Sequence, residues 1–205
     1  MKLEITLQES NSRGELLLRS FFGFFYILIP HGFCLFFLSL WGIVLHIITW
    51  WAILITGKFP KSFFDYQVKL YRWSLRVSAR LYNLVDGYPA FGLDAVDDKV
   101  TYEVPYTETY SRGRLLLITF FGWLMIIPHI FCLWFLIIGV YVVLFISWWA
   151  ILFTGKYPAG MHRYMVNFLR WAARINLYFL FMSPTYPPFN GRPDPAEQIA
   201  SSFGS

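Results

Sequence analysis

The sequence predicts an all-α membrane protein made of two parallel repeats. Each repeat is read as a transmembrane helical hairpin plus an amphipathic interfacial helix, with a short extended N-terminal arm. Three observations carry this. Apolar residues make up 57% of the chain and charged ones 14%, against roughly 45–50% apolar in soluble domains. Two apolar runs, 14–56 and 113–154, each hold about forty residues, twice the ~20 that a spanning helix needs. Nearly everything in the first half also returns in the second.

The return is close enough to read residue by residue. Trp50-Trp51-Ala52-Ile53-Leu54-Ile55-Thr56-Gly57-Lys58-Phe59-Pro60 reappears as Trp148-Trp149-Ala150-Ile151-Leu152-Phe153-Thr154-Gly155-Lys156-Tyr157-Pro158. Ser12-Arg13-Gly14 matches Ser111-Arg112-Gly113, and Phe21-Phe22-Gly23 matches Phe120-Phe121-Gly122. From Pro30-His31 and Pro128-His129 onward the offset falls by one, so the second copy lacks a residue before Pro128. Residues 1–93 and 94–189 are therefore two membrane repeats, joined through an acidic, Gly/Pro-punctuated linker at 86–98. The polar tail at 190–205 is expected to be disordered.

Each repeat opens on a stretch of period-two apolar spacing, 2–7 and 99–106, which predicts a strand or an extended arm. Residues 1–12 are polar and carry Glu4 and Glu9. No small-residue cleavage pattern follows the first apolar run, so that run is read as a retained anchor.

Whether each run crosses once or twice is decided by charge. A straight forty-residue helix is about 60 Å long, against a hydrocarbon layer of ~30 Å, and Pro30 and Pro128 each remove a hydrogen bond and bend the chain. Arg13 and Arg19 precede the first run, and Lys58, Lys61, Lys69, Arg72, Arg76 and Arg80 follow it. A hairpin keeps both groups on one positive side. A single crossing sends Lys156, Arg163, Arg170 and Arg174 to the opposite side, against the positive-inside bias. The expectation is four spans, a pseudo-axis along the membrane normal and both termini cytoplasmic. The turn Ile29-Pro30-His31-Gly32-Phe33 has little polarity to meet water, so it lies at the interface or is re-entrant under protein cover.

Thr-Gly-Lys-x-Pro lacks the frame of a phosphate loop and reads as a helix stop. Gly57 and Gly155 are suited to left-handed caps, and a proline follows to restart the chain. The paired tryptophans suit a membrane interface. After each stop comes a basic amphipathic segment, 61–85 and 159–181. The candidate lipid- or partner-binding residues are Arg72, Arg76, Arg170, Arg174, Lys58, Lys156, Trp73 and Trp171, whose cations would meet anionic headgroups. His31 with Cys34, and His129 with Cys132, give the spacing from which a tetrahedral metal site or a haem pair could be built. H-x-x-C alone does not make one, so no metal and no cofactor is expected. His46 and His162 have no histidine counterparts and receive no assignment.

No Asp, Glu, Lys or Arg interrupts the central apolar spans, and no nucleophile–base set or carboxylate pair is present. This argues against an ion pathway and against an enzyme. The positive charge is modest and local, which argues against nucleic acid.

The pattern W-W-x-I-L-x-T-G-K-x-P, R-W-x-x-R and Y-P-x-F, preceded by P-H, resembles a bacterial membrane family catalogued as a domain of unknown function, number 4389. Here the motifs are Trp148 to Pro158, Arg170-Trp171-Ala172-Ala173-Arg174, Tyr186-Pro187-Pro188-Phe189 and Pro128-His129, with twins in the first half; Ala90 stands where the second copy has Pro188. The resemblance implies a bacterial inner-membrane protein and supplies no activity. The functional expectation is a non-catalytic accessory or scaffold subunit of an inner-membrane assembly, contacting lipids and other membrane subunits. The alternative is a small protein handling lipids or hydrophobic ligands in the groove between repeats.

Overall fold

The computed structural model describes residues 1–194, and most of the polar tail lies outside them. The described elements are strand β1 (Lys2–Ile5), helices α1 (Arg13–Gly23), α2 (Ile29–Thr56) and α3 (Lys61–Leu81), strand β2 (Val100–Glu103), and helices α4 (Arg112–Thr154) and α5 (Ala159–Phe179). The chain is mostly helical, and two of its helices, Arg13–Thr56 and Arg112–Thr154, are long and apolar enough to cross a membrane.

The expected hairpins are absent. α1, a single π-helical turn at Phe24–Leu28 and α2 form one helix of 44 residues, and α4 runs unbroken for 43 with Pro128 inside it. Opening a turn at Pro30 would strip several amides of their partners with no polar side chain nearby, whereas staying helical sacrifices one hydrogen bond. The π turn has a cause in the sequence. An i→i+5 turn takes up one residue more than an α turn, and Phe24–Leu28 lies between Gly23 and Pro30, where the first half carries its extra residue.

The helix ends follow local chemistry. Ser12 and Ser111 cap α1 and α4, accepting from the Glu15 and Arg114 amides. Gly57 and Gly155 close the long helices with φ of +74° and +72°, a conformation costly for any side chain with a Cβ. Pro60 and Pro158 then set the entries of α3 and α5.

The long helices run antiparallel, the start of each beside the end of the other. The Arg13 guanidinium donates to the Phe153 carbonyl (3.0 Å), and Arg112 donates to Ile55 (2.7 Å). Trp148 Nε1 donates to Ser20 Oγ (2.7 Å), and Trp50 Nε1 to Thr119 Oγ1 (2.8 Å). Asn11 N–H donates to the Gly155 carbonyl and Tyr110 N–H to Gly57. β1 and β2 pair antiparallel with Leu3 opposite Tyr102. Each of these contacts from one half is thus answered by its counterpart from the other.

Each long helix buries a single stripe, including Leu16, Gly23, Ile27, His31, Gly42, Leu45, Thr49 and Ile53 in the first and Leu115, Gly122, His129, Val140, Ser147 and Ile151 in the second. Large apolar side chains around most of the remaining circumference are exposed, such as Phe21 at 70%, Phe33 at 65%, Trp123 at 67% and Phe145 at 67%. α3 and α5 are instead enclosed by the long helices, the strands and the loops, and supply much of the core.

Arg19, on the buried stripe, locks the linker. It donates to Asn83 Oδ1 and pairs with Asp86 (2.8 Å), which also accepts from the Ser12 amide. Breaking one partner of a buried ion pair costs about 3–5 kcal/mol, whereas exposed pairs are worth under about 1 kcal/mol. Chemical denaturation in micelles is therefore expected to show Arg19→Met destabilised by about 3 kcal/mol or more. Lys61→Met, which removes the exposed Lys61–Asp65 pair, should lose less than about 1 kcal/mol.

Candidate functional site

α3 and α5 carry most of the basic and aromatic residues that the sequence marks for lipid or partner binding. Their spacing gives each helix an apolar face and a basic face. The apolar face meets the long helix along its middle, not at its end. Trp73 Nε1 donates to His31 Nδ1 at 2.8 Å, and Trp171 Nε1 donates to His129 Nδ1 at 3.1 Å. Tyr66 and Tyr164 donate to the Leu38 and Leu136 carbonyls. Both histidines lie under aromatic covers, Tyr88 with Phe91 and Tyr186 with Phe189. The Pro-His motif is thus the socket for the tryptophan of R-W-x-x-R. Among the described residues, no three His, Cys, Asp or Glu side chains group as a metal site, and Cys34 and Cys132 are free thiols.

The four arginines of the basic faces are tied into the protein through backbone carbonyls. Arg72 makes two bonds to the Tyr102 carbonyl (3.0 and 2.9 Å), and Arg170 donates to Leu3 (2.8 Å) and Gly191 (2.7 Å). Arg76 donates to the Gly92 and Ala95 carbonyls, and Arg174 to Asn190 and Arg192. Arg174 also pairs with Asp194, so the described start of the polar tail is held against α5. Burial pushes the Arg76 pKa down, with Asp97 pushing back. Arg80 pairs with Asp97 at 2.6 Å in the interior. Trp73 and Trp171 are buried as well. A guanidinium has five donors in a planar fork, and the two strands and two loops supply the oxygens that match it.

Lys58 and Lys156 do reach the surface, at opposite ends of the helix pair. Lys58 bonds Glu108 at 2.7 Å, which raises its pKa.

A feature the sequence reading missed is a cavity of about 270 Å³ between the halves. α2 contributes Ser39, Gly42, Ile43 and His46; α3 contributes Gln67, Leu70, Tyr71 and Ser74; Asn176 of α5 and Leu180 close it. The Gln67 amide donates to the Gly42 carbonyl at 2.7 Å, an approach the absent Gly42 side chain permits, since a Cβ there would lie 3.2 Å from Leu70. His46 stacks on Phe181, with centroids 4.9 Å apart and planes at 13°.

Residues 117–190 match the family model described as Domain of unknown function (DUF4389). The matched DUF4389 stretch takes in His129, Trp171, Arg170 and Arg174, so its motifs coincide with the socket and the carbonyl-bound arginines of the second half. No curated protein and no solved structure matches the chain.

The buried and exposed cations separate in experiment. Arg76→Met is expected to lower the melting temperature while leaving association of a spin-labelled phosphatidylserine with the nanodisc-embedded protein unchanged. Lys58→Ala combined with Lys156→Ala should weaken that association about thirtyfold, at about 1 kcal/mol per surface cation, and leave the melt intact.

Proposed function

We propose that the chain is a non-catalytic membrane protein whose two long helices lie along one leaflet, and that it serves as an accessory or scaffold subunit of a membrane assembly. One observation carries the placement: charge accompanies each long helix along its length. In the first half, Arg19–Asp86 stands near the start of the long helix and Lys58–Glu108 at its end. Between them, α3 rests on the middle of the helix through the His31–Trp73 bond and brings Lys69–Asp94 and Arg80–Asp97 with it. The Asp94 side chain is 79% exposed. Sinking that region to the bilayer centre costs about 3 kcal/mol for each uncompensated charge.

Length and polarity order agree. A 44-residue helix is about 66 Å long, against ~30 Å of hydrocarbon. Because the helices are antiparallel, crossing the bilayer would set Lys58 and Lys156 on opposite sides. Lying flat keeps both among the headgroups of one leaflet. It also preserves a duplicated architecture with its pseudo-twofold along the membrane normal, passing between Leu3 and Tyr102. On this reading the exposed apolar flanks sit in the acyl layer. The layer of α3, α5 and the strand pair faces the cytoplasm of a bacterial cell with both termini, as the positive-inside bias favours.

The scaffold role rests on aromatic surface far larger than the few hundred Å² that a soluble monomer exposes, combined with the absence of any catalytic constellation among the described residues. The second reading, a protein handling hydrophobic ligands between its halves, is favoured by the His46 cavity. Mild-detergent extraction at native expression tests the first: a membrane-protein partner should travel with the chain in fixed ratio. Recovery of a lone monomer would count against a scaffold and leave the ligand-handling reading.

A further inference from the structure

We propose that the cavity between the halves binds the uncharged, oxygen-bearing head of a membrane lipid, with the lipid's chain running out onto the apolar flank of α2. This rests on the membrane placement above and deepens its ligand-handling reading.

The two halves match almost everywhere that holds the frame, yet they part at this cavity. Ser39, His46, Gln67, Tyr71 and Ser74 line it, whereas the same positions of the second half are Ile137, Leu144, Met165, Leu169 and Ala172. Five polar positions on one side of a pseudo-twofold, each apolar on the other, are not needed for folding, since the second half folds without them. Polar side chains in an apolar setting have to be satisfied. Gln67 spends its amide N–H on Gly42, leaving its oxygen. Tyr71 O–H, the His46 ring nitrogens and the Asn176 amide make no side-chain hydrogen bond to another described residue. Burial pushes the Tyr71 pKa up, so the phenol stays a donor.

The ligand class follows from the lining. No carboxylate, lysine or arginine contributes to it, so a charged head would be desolvated without compensation. Tyr71, Asn176 and His46 offer donors, which suits a carbonyl or hydroxyl oxygen. A volume of about 270 Å³ is at the low end for small-molecule sites and accommodates a single ring or a glycerol unit, not a whole lipid. Ser39 and the 56%-exposed Ile43 stand at the mouth, where a chain passes directly to the exposed flank. In the other half the counterparts of Ile43 and Leu180 are Tyr141 and Tyr82, which are electrostatic neighbours.

That difference supplies a variant built from the protein's own second half. Full-length protein in phosphatidylcholine nanodiscs is irradiated with diazirine-bearing diacylglycerol, and cross-linked peptides are mapped by mass spectrometry. A parallel sample contains diazirine-bearing phosphatidic acid. Diacylglycerol should label the peptides holding His46 and Asn176, and Ile43→Tyr with Leu180→Tyr should abolish that labelling while leaving labels around Phe36 unchanged. Tyr71→Phe or Asn176→Leu should each reduce it about fivefold, the worth of one hydrogen bond. Competition by a decyl-substituted benzoquinone would show that the head recognised is a quinone; no competition would show a glycerol head. Undiminished labelling in the double-tyrosine variant, or equal labelling by phosphatidic acid, overturns the site. Loss of all labels, those at Phe36 included, instead overturns the membrane placement.

Discussion

The architecture depends on two indole-to-imidazole hydrogen bonds, Trp73 to His31 and Trp171 to His129. Each joins the middle of a basic helix to the middle of an apolar one. A helix that is apolar nearly all round has no reason to choose one rotational setting in lipid. The buried imidazole provides one, because its Nδ1 would be an unsatisfied acceptor if the helix turned it into the acyl layer. With the register fixed there, the basic faces of α3 and α5 turn toward the strands and loops, whose carbonyls take up the arginines. The proposed orientation in the membrane follows from the same contact, since charge tied to the centre of a long helix cannot be left outside while that helix crosses.

The reciprocal contacts explain how so little sequence specifies the interface between halves. One favourable pair, such as Trp50 with Thr119, is answered by Trp148 with Ser20. A self-complementary surface doubles each interaction, here within a single chain. Positions that repeat hold this frame, and positions that do not repeat are released from it. Asymmetric features include the Arg19–Asp86 lock, whose counterparts are Ile118 and Pro184, and the polar cavity around His46.

Much of the local structure was legible. Gly57 and Gly155 cap the long helices as the Thr-Gly-Lys-x-Pro stop predicts, and the period-two arms pair as strands. The hairpin expectation came from keeping the flanking cations of each run on one side of the membrane, with the proline taken as the bend. In an apolar setting the continuous helix leaves fewer groups unpaired, and the one-residue slip before Pro128 signalled a π turn at Phe24–Leu28 instead. The carbonyl partners of the arginines were not legible, because periodicity reveals that a helix has a basic face but not which oxygens meet it. The Gly92, Ala95 and Gly191 carbonyls come from loops without periodic signal. His46 was passed over for having no twin, although the lack of a twin is what sets its cavity apart.

The proposed account requires both long helices to lie parallel to the bilayer surface. Oriented circular dichroism of the full-length protein in aligned phosphatidylcholine bilayers tests this directly, because the parallel-polarised helix band depends on the angle between helix axis and beam. Helices in the plane should give a spectrum that retains this band at normal incidence. Loss of the band at normal incidence, the signature of helices along the membrane normal, would contradict the account.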